Sequence, residues 1–338
     1  MTILLASAIF YCLVVSVKTL SYSQSTRSTL RMPVKMHFEE SLVGNTALAP
    51  QSLPRVYYLA SNRFNCREQA MAKFEKRWAE RKSRLALLPG FRFFSLFRRI
   101  ELDTISTSQN IADKFNYISF TLWNTKSDFD SWRTGEAFKE AHGGGGITDF
   151  MQLIGTALFI LNGSPKPAFY DSLLVRSGES ISSFASDEGW RQVVADGQNL
   201  LPGELILIQD KYSVKKNQEV AFEQIWHQAT DISAENARTR LGGFVGFTLL
   251  RRDADKADDG YNYIVSTLWR SQSDVIAWRG SPGGSWLSKT PVSADLLTQP
   301  CVTVAYEGKL TLVSPSGLGG DQLLAYTTAG EKDVAVSA

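Results

Sequence analysis

The sequence predicts an α+β fold in which two ferredoxin-like units follow one another along the chain. Apolar alternation and helical periodicity give the order β-α-β-β-α-β between residues 55 and 161, which is the order of a ferredoxin-like unit. The same order returns between residues 205 and 306, where three tryptophans repeat those of the first unit at offsets of 146 to 148 positions. Two copies of one pattern in a chain of 338 residues indicate tandem duplication.

The first unit contains four predicted strands and two predicted helices. Residues 55–60 are β-branched and aromatic after a proline and predict a strand. Apolar residues recur at helical spacing over residues 68–88 and predict a helix that Pro89-Gly90 ends. The remaining elements are strands at 91–100 and 115–123, a helix starting at 126–132, and a strand at 154–161.

The second unit repeats this series and completes the predicted domain organisation. Its predicted strands are 205–209, 243–252, 261–269 and 301–306, and its helices are 217–230 and 271–278. We therefore divide the chain into a presequence (1–50), a first domain (51–165), a linker (166–203), a second domain (204–313) and a Gly/Ser-rich flexible tail (314–338).

Composition and charge exclude several classes of function. The 43% of hydrophobic residues is typical of globular domains with buried cores. The net charge is +2, and the four basic residues of segment 1–38, which has no acid, account for more than this excess. A body so close to neutral has no basic surface for nucleic acid. Three cysteines without a CxxC motif predict neither a disulfide framework nor a thiolate metal site.

The N-terminal segment predicts targeting rather than a stable membrane span. Residues 3–17 are almost wholly apolar, which is short for a transmembrane helix but suits the core of a signal peptide. Residues 16–38 are rich in Ser and Thr, carry four basic residues and lack acids, as transit peptides do. The combination predicts a bipartite presequence and a plastid location; a plain secretory signal, leading to secretion or an endomembrane lumen, is the alternative.

Trp132 and His142 form the most informative spacing in the chain. His142 is one of three histidines and precedes the glycines 143–146. On one unbroken helix, ten residues separate two side chains by roughly 15 Å along the axis and roughly 80° around it. Both could not then face one flat ligand, so we predict a helix break at Thr134-Gly135 and a short second helix over residues 136–142, with Phe138 and His142 on one face.

The residues Asn62-Arg63, Trp132 and Phe138-Lys139-Glu140-Ala141-His142 resemble the heme-degrading monooxygenases of the IsdG type, within the antibiotic biosynthesis monooxygenase superfamily. The resemblance covers residues 55–162 and recurs in degraded form over 205–306. It implies that His142 is the axial ligand of the heme iron and that Asn62 donates a hydrogen bond on the distal side. Trp132 would press on the porphyrin face and distort it, Phe138 would lie on the ligand's face of the short helix, and Gly143 would leave room for the porphyrin edge.

The resemblance also implies the cofactors, partners and assembly. Heme would be both substrate and cofactor, with O2 as co-substrate and an external electron donor such as a reductase, a ferredoxin or ascorbate. No GxGxxG fingerprint predicts a bound dinucleotide. Members of the superfamily are dimers whose two sheets share a dimeric α/β-barrel. Two fused copies therefore imply an intramolecular pseudodimer and a monomeric chain.

The second copy departs from the pattern at the ligand position. Asp210 stands where the first copy has Asn62, and Ser288 where it has His142, so we expect the second domain to be structural. Each site residue also has a plainer interpretation: His142 as a helix cap, Trp132 as core, Asn62 as a strand end. At the level of function, the alternatives are a cofactor-free monooxygenase acting on a quinol or polyphenol, and a heme-binding protein without turnover.

Overall fold

Eight strands, four from each half of the chain, form one closed barrel. The structure, a computed structural model, describes residues 51–81, 85–102, 114–141, 159–178, 186–187, 190–191, 195–240, 243–253, 259–280 and 292–314. The predicted presequence 1–50 and most of the predicted tail lie outside these residues. The described residues between 51 and 314 belong to one compact unit, so the two predicted domains share a single fold.

In the first half, β1 (Tyr57–Phe64) is followed by α1 (Met71–Ala79), which lies within the predicted 68–88 helix. Two short 3₁₀ turns, Glu68–Ala70 and Leu85–Leu87, lie on either side of α1, and residues 82–84 are outside the described residues. The elements that follow are β2 (Phe91–Ile100), β3 (Tyr117–Trp123), α2 (Lys126–Thr134), α3 (Glu136–Ala141) and β4 (Lys166–Ser177). A small hairpin, β5 (Ser186–Asp187) with β6 (Trp190–Arg191), leads to the second half.

The second half repeats the order of the first. Its elements are β7 (Ile206–Val214), α4 (Glu219–Arg240), β8 (Phe244–Arg252), β9 (Tyr263–Trp269), α5 (Gln272–Arg279), a 3₁₀ turn (Ala294–Leu296) and β10 (Leu297–Val313). The two halves confirm the predicted α+β class and the tandem ferredoxin-like arrangement. Among the helices of the described ranges, none combines the length and the apolar composition that a membrane crossing requires.

The barrel order is β1-β3-β2-β10-β7-β9-β8-β4, and neighbouring strands are antiparallel. Within each half the order is that of a ferredoxin-like sheet, and the last strand of each half pairs with the second strand of the other half: β4 with β8, and β10 with β2. These two exchanged contacts close the barrel. They confirm the intramolecular pseudodimer, because each half supplies the strand that pairs with the second strand of the other half.

The last strand of the first half was predicted in the wrong place. Residues 166–177, assigned to the linker, form β4 and pair with β1 and β8 over their length. Of the predicted strand 154–161, residues 154–158 lie outside the described residues, Phe159 and Ile160 are helical, and Leu161 makes one isolated bridge to Cys66. The first half therefore extends at least to Ser177 rather than ending at residue 165.

Side-chain alternation sorts the barrel into an interior and two outer faces. Inward-pointing residues from both halves, such as Leu59, Phe97 and Ile264, form one core cluster. On the outside, α1 and α2 cover the first sheet through Phe74 and Phe129. The corresponding helices α4 and α5 cover the second sheet and contribute Phe222, Trp226, Val275 and Trp278 to a separate cluster. The candidate site lies in the outer layer of the first half.

Candidate active site

Four small or short side chains lie side by side on the outer face of the first sheet. In the register of β1 and β3, Asn62 is opposite Ser119 and Ala60 is opposite Thr121. They share the outward face because Ala60 belongs to the cluster under the helices, whereas the intervening Leu59 belongs to the barrel interior. We call Ala60, Asn62, Ser119 and Thr121 the small-residue floor.

Larger aromatic side chains surround this floor on the same face. Tyr58 is paired with Trp123 at one end of it, and Phe64 with Tyr117 at the other. The neighbouring strands add further rings beside Ala60 and Thr121, namely Phe169 and Phe94. On this face, small side chains therefore lie among large aromatic ones.

Asn62 is the member of the small-residue floor that reaches solvent. It is exposed, although its neighbours on the same face, Ala60 and Phe64, are buried at 8% and 7% exposure. Ser119 and Thr121 are also buried, at 3% and 8%. The helical layer therefore leaves the Asn62 amide accessible from outside, at the side of a floor that is otherwise covered.

Trp132 stands on α2 as part of the aromatic wall. The helix starts at a capping box in which the Thr125 hydroxyl accepts a hydrogen bond from the backbone N–H of Asp128 and the Asp128 carboxylate accepts one from the backbone N–H of Thr125. The Trp132 ring is half-buried and lies 5.4 Å from the ring of Trp123 and 5.8 Å from that of Phe129. The sheet thus fixes Trp132 from below, and part of its ring remains accessible.

The helix break predicted from the spacing is present. Gly135 ends α2 in an extended conformation, and α3 starts at the next residue. Across this break the Phe138 ring packs edge-on against Trp132 at 5.0 Å. The structure therefore brings Trp132 and Phe138 together beside the floor that contains Asn62, while His142 and Gly143, which follow α3 directly in sequence, lie outside the described residues.

The second half contributes a charged group to the rim of the site. Asp253, just after β8, accepts a hydrogen bond from the Tyr58 hydroxyl at 2.9 Å and forms an ion pair with Lys126 at the start of α2. Burial and the neighbouring Asp253 raise the pKa of Tyr58, so the phenol stays protonated at neutral pH. Burial alone would raise the pKa of Asp253, but the hydrogen bonds from Lys126 and Tyr58 outweigh it and hold that pKa below its usual range.

At the equivalent positions the second half has larger apolar side chains and a buried carboxylate. In the register of β7 and β9, Ile208 and Val265 occupy the positions of Ala60 and Ser119, and both are buried to 2% exposure or less. Trp278, the counterpart of Trp132, is only 4% exposed. Asp210 replaces the open Asn62 with a buried carboxylate that accepts a hydrogen bond from the Thr303 hydroxyl at 2.5 Å.

Sequence reasoning missed three members of the floor: Ala60, Ser119 and Thr121. The alternation within each strand marked them as one face of a sheet, but only the register between β1 and β3 shows that they are neighbours. Within the described residues, no three His, Cys, Asp or Glu side chains form a group that could hold a metal ion.

Comparison with known proteins identifies the domain type in both halves. Residues 58–144 and 205–283 match the model of the family described as Antibiotic biosynthesis monooxygenase. Among solved structures, the chain is similar to a candidate monooxygenase from Fusobacterium nucleatum, with 10% identity, 77% of this chain and 95% of that chain covered, and a TM-score of 0.49. It is also similar to a heme-degrading enzyme from Listeria monocytogenes, with 9% identity, 74% and 98% covered, and a TM-score of 0.32.

Proposed function

We propose a function for a chain whose two halves are both antibiotic biosynthesis monooxygenase domains: the first half binds heme and, with O2 and an external electron donor, opens the porphyrin and releases iron. One observation carries the proposal. The first half has an exposed amide, that of Asn62, beside the small side chains of Ala60 and Ser119, whereas the second half has the buried Asp210 and the larger Ile208 and Val265 at the equivalent positions. A polar group that stays accessible in only one of two otherwise matching halves indicates a binding role for that half.

The residues present suit a large flat ligand. A floor without bulky side chains lets a planar ring approach the sheet, and the contacting rings of Trp132 and Phe138 provide an apolar wall beside it. Asn62 offers an exposed amide donor on the outer face of the same sheet. We assign His142, which follows α3 in sequence, as the residue that would bind the iron, because a neutral imidazole is a good ligand for heme iron.

The chain's own residues then bind, orient and exclude water. Heme, when bound, supplies the oxygen chemistry and is itself the substrate. In our assignment His142 would bind the heme iron, Trp132 would press on the macrocycle, and Asn62 would offer it a hydrogen bond. This chemistry requires neither a nucleophile nor paired carboxylates, and the second half acts as a scaffold that also anchors Tyr58 and Lys126 through Asp253.

A hydrogen-bonding floor also suits a phenolic ligand, which makes a cofactor-free monooxygenase acting on a quinol or polyphenol the second candidate. The hydroxyls of Ser119 and Thr121 and the amide of Asn62 lie on one face and could bind phenolic oxygens. In that case His142 would act as a base or a hydrogen-bond donor. A heme-binding protein without turnover is the third candidate function for the same site.

A titration with hemin separates the heme proteins from the quinol enzyme. We expect a saturable shift of the Soret band in the wild-type protein and its loss in His142→Ala. His227→Ala is the matched control, because His227 lies on α4 of the second half, and it should titrate like the wild type. A wild-type protein that gives no saturable shift would eliminate heme as the ligand and leave the quinol enzyme.

Turnover separates the enzyme from the carrier. With heme bound, addition of ascorbate under air should bleach the Soret band and release iron that a ferrous chelator detects. Asn62→Ala should bind hemin but bleach it more slowly, because we place the amide on the reacting side of the ring. A Soret band that stays unchanged for hours in the wild-type protein would establish the carrier and contradict the enzymatic proposal.

A further inference from the structure

A cavity of ≈ 90 Å³ lies inside the barrel, separate from the candidate active site. Leu59, Phe97 and Phe120 of its wall belong to the interior core cluster, whereas the small-residue floor lies on the outer face of the same sheet. Two other wall residues, Leu122 near the end of β3 and Leu268 near the end of β9, are only half-buried. The cavity therefore lies at one end of the barrel, and a ligand can enter there.

One cause of the cavity is a missing aromatic ring on β8. In the first half Phe93 is opposite Leu122, and in the second half Gly246 holds the equivalent position opposite Leu268. Phe93 and Gly246 both line the cavity. A Cβ atom added at Gly246 would meet the backbone oxygen of Arg176 at 3.4 Å as its nearest neighbour, so the space next to Gly246 is empty.

A second ring is missing on β9. Phe120 lies opposite Ser95 in the first half, and Ser266 lies opposite Thr248 at the equivalent position of the second half. Ser266 is 3% exposed and also lines the cavity. Side chains just fill the interior of an eight-stranded barrel, so two small residues in place of two aromatic ones leave a volume that a ligand can occupy.

The chemistry of the wall favours an uncharged apolar ligand. Most of the lining side chains are aliphatic or aromatic. The hydroxyls of Ser172 and Thr248, 2.8 Å apart, form a hydrogen bond with each other, and the Ser266 hydroxyl accepts one from the Gln209 amide at 3.5 Å. Arg176 borders the cavity but lies opposite Phe247, on the outer face of the barrel. A charged ligand would lose its water against such a wall without gaining a partner of opposite charge.

The size and the accessible end of the cavity limit the shape of the ligand. An apolar cavity of about 150 Å³ in another protein stays dry and accepts benzene. A cavity of ≈ 90 Å³ therefore suits a smaller body, on the order of four carbon atoms. Because the wall is partly exposed at Leu122 and Leu268, the rest of a longer molecule can remain outside the barrel.

We propose that this end of the barrel binds the end of an uncharged alkyl chain, with about four carbon atoms in the cavity and the remainder in solvent. The chain would occupy the volume that Phe93 and Phe120 have no counterparts to fill in the second half. Burial of each methylene in such a wall should raise the affinity about fourfold. This inference concerns a different site and does not depend on heme binding.

The test uses the full chain and the linear alcohols from propanol to octanol, titrated while the NMR signals of the leucine methyl groups are followed. Affinity should rise about fourfold with each added methylene and level off once the cavity is full. The signals of Leu59 and Leu207, which line the cavity, should shift. Affinity that rises without a plateau up to octanol, or no saturable binding of any alcohol, would overturn the proposal.

Substitutions that restore the missing bulk locate the site. Ser266→Phe introduces the residue of the first half and should lower the affinity for the best alcohol at least about tenfold, because the ring fills the cavity. If Ser266→Phe does not fold, Gly246→Leu fills the same space from β8. Ile276→Phe, at an exposed position of α5, is the matched control and should bind like the wild type. Unchanged alcohol binding in the folded cavity-filling variant would contradict the proposal.

A variant with a larger cavity tests the same assignment from the opposite direction. Phe120→Leu removes part of the ring that faces Ser266 across the interior cavity and should move the plateau to alcohols that are one or two carbon atoms longer, on the order of the volume removed. A plateau at the same chain length as in the wild type would show that the alkyl chain does not occupy this cavity.

Discussion

Ala60 and Ile208 hold equivalent positions in the two halves and differ in size. Both face outward beneath a helical layer, and both lie opposite a threonine in the neighbouring strand. Ala60 is a small residue two positions before the exposed Asn62, whereas Ile208 is a large one that packs in the core cluster of the second half. The two positions therefore form a natural pair for testing the site.

Ala60→Ile should weaken hemin binding by about tenfold or more, because the added carbon atoms occupy the space in which we place the ring. The reciprocal change, Ile208→Ala, removes buried atoms from a packed core and should cost about 2–5 kcal/mol of unfolding free energy. It should leave hemin affinity unchanged. Urea unfolding and hemin titration of both variants measure these outcomes, and full hemin affinity in Ala60→Ile would show that the ligand does not use the floor.

The pH dependence of stability should reveal the buried Asp210. Burial raises the pKa of this carboxyl and outweighs the opposing effects of the Thr303 hydroxyl and Arg279. Between the unfolded pKa of about 3.9 and the higher folded pKa, the native state binds more protons than the unfolded state, so this group destabilises the fold progressively as pH rises. Asp210→Asn should therefore be more stable than the wild type at neutral pH. Its advantage should grow as pH rises through that window and then level off, and an advantage that shrinks with rising pH would contradict the assignment.

Sequence alone could indicate Asn62 and Trp132 only through the resemblance of their pattern to a known family. The floor residues carry no such signal, because Ala, Ser and Thr are common in strands and on surfaces. The burial of acidic residues could not be predicted from the sequence either. Glu75 lies among the charged residues of the first predicted helix, yet it is completely buried and accepts hydrogen bonds from the Tyr117 hydroxyl and the backbone N–H of Leu201. Tertiary partners, not local pattern, decide such positions.

At the scale of elements, α2 packs on the sheet and carries Trp132, which we propose contacts the ligand. Its capping box fixes the first turn, Trp132 packs on the sheet from the last turn, and Gly135 sets the direction of α3. In the second half, α5 starts at Ser271, whose hydroxyl likewise accepts a hydrogen bond from the backbone N–H of Asp274. In both helices a side-chain hydroxyl caps the first turn, but only α2 carries a tryptophan that we assign to the binding site.

Thr125→Ala and Ser271→Ala should each lower the unfolding free energy by about 1 kcal/mol, because both remove a side-chain cap from the first turn of a helix. Their effects on hemin binding should differ. A frayed start of α2 loosens the support of Trp132, so Thr125→Ala should weaken hemin binding, whereas Ser271→Ala should not. Urea unfolding and Soret titration are the two measurements. If the Thr125→Ala and Ser271→Ala variants have identical hemin affinities, Trp132 is not part of the hemin-binding site.

The misplaced fourth strand has a local cause. Residues 165–167 read Pro-Lys-Pro, which in sequence is typical of a strand end or a linker. In the barrel, Pro167 lies at the start of β4 opposite Asn62, a position that strands allow to proline. The apolar run at 154–161 offered an equally good pattern closer to the expected spacing. The helix break at Gly135, by contrast, was predictable because glycine and the angular spacing of the neighbouring side chains pointed to the same residue.

At the scale of the molecule, the two halves hold each other by matching contacts that exchange chain segments. Buried Glu75 of the first half binds the backbone N–H of Leu201, which precedes the first strand of the second half. Buried Glu223 of the second half binds the backbone N–H of Leu53, which precedes β1. Arg98 and Arg251 bridge these glutamates to acids on the exchanged strands, namely Glu307 and Asp171. Each half is thereby anchored to the other at both its start and its end.

Continuity of the chain between the halves should therefore be dispensable once the barrel has formed. A protease site inserted at residues 192–194, outside the described residues, allows the chain to be cut between the small hairpin and β7. The two fragments should co-elute in size-exclusion chromatography at the volume of the intact chain, because β4 and β10 each remain paired with a strand of the other fragment. Hemin binding should persist, since all proposed ligands lie in the first fragment and its partner still supplies Asp253. Fragments that separate into two stable monomers at neutral pH would show that each half folds alone, and that the shared barrel does not hold the molecule together.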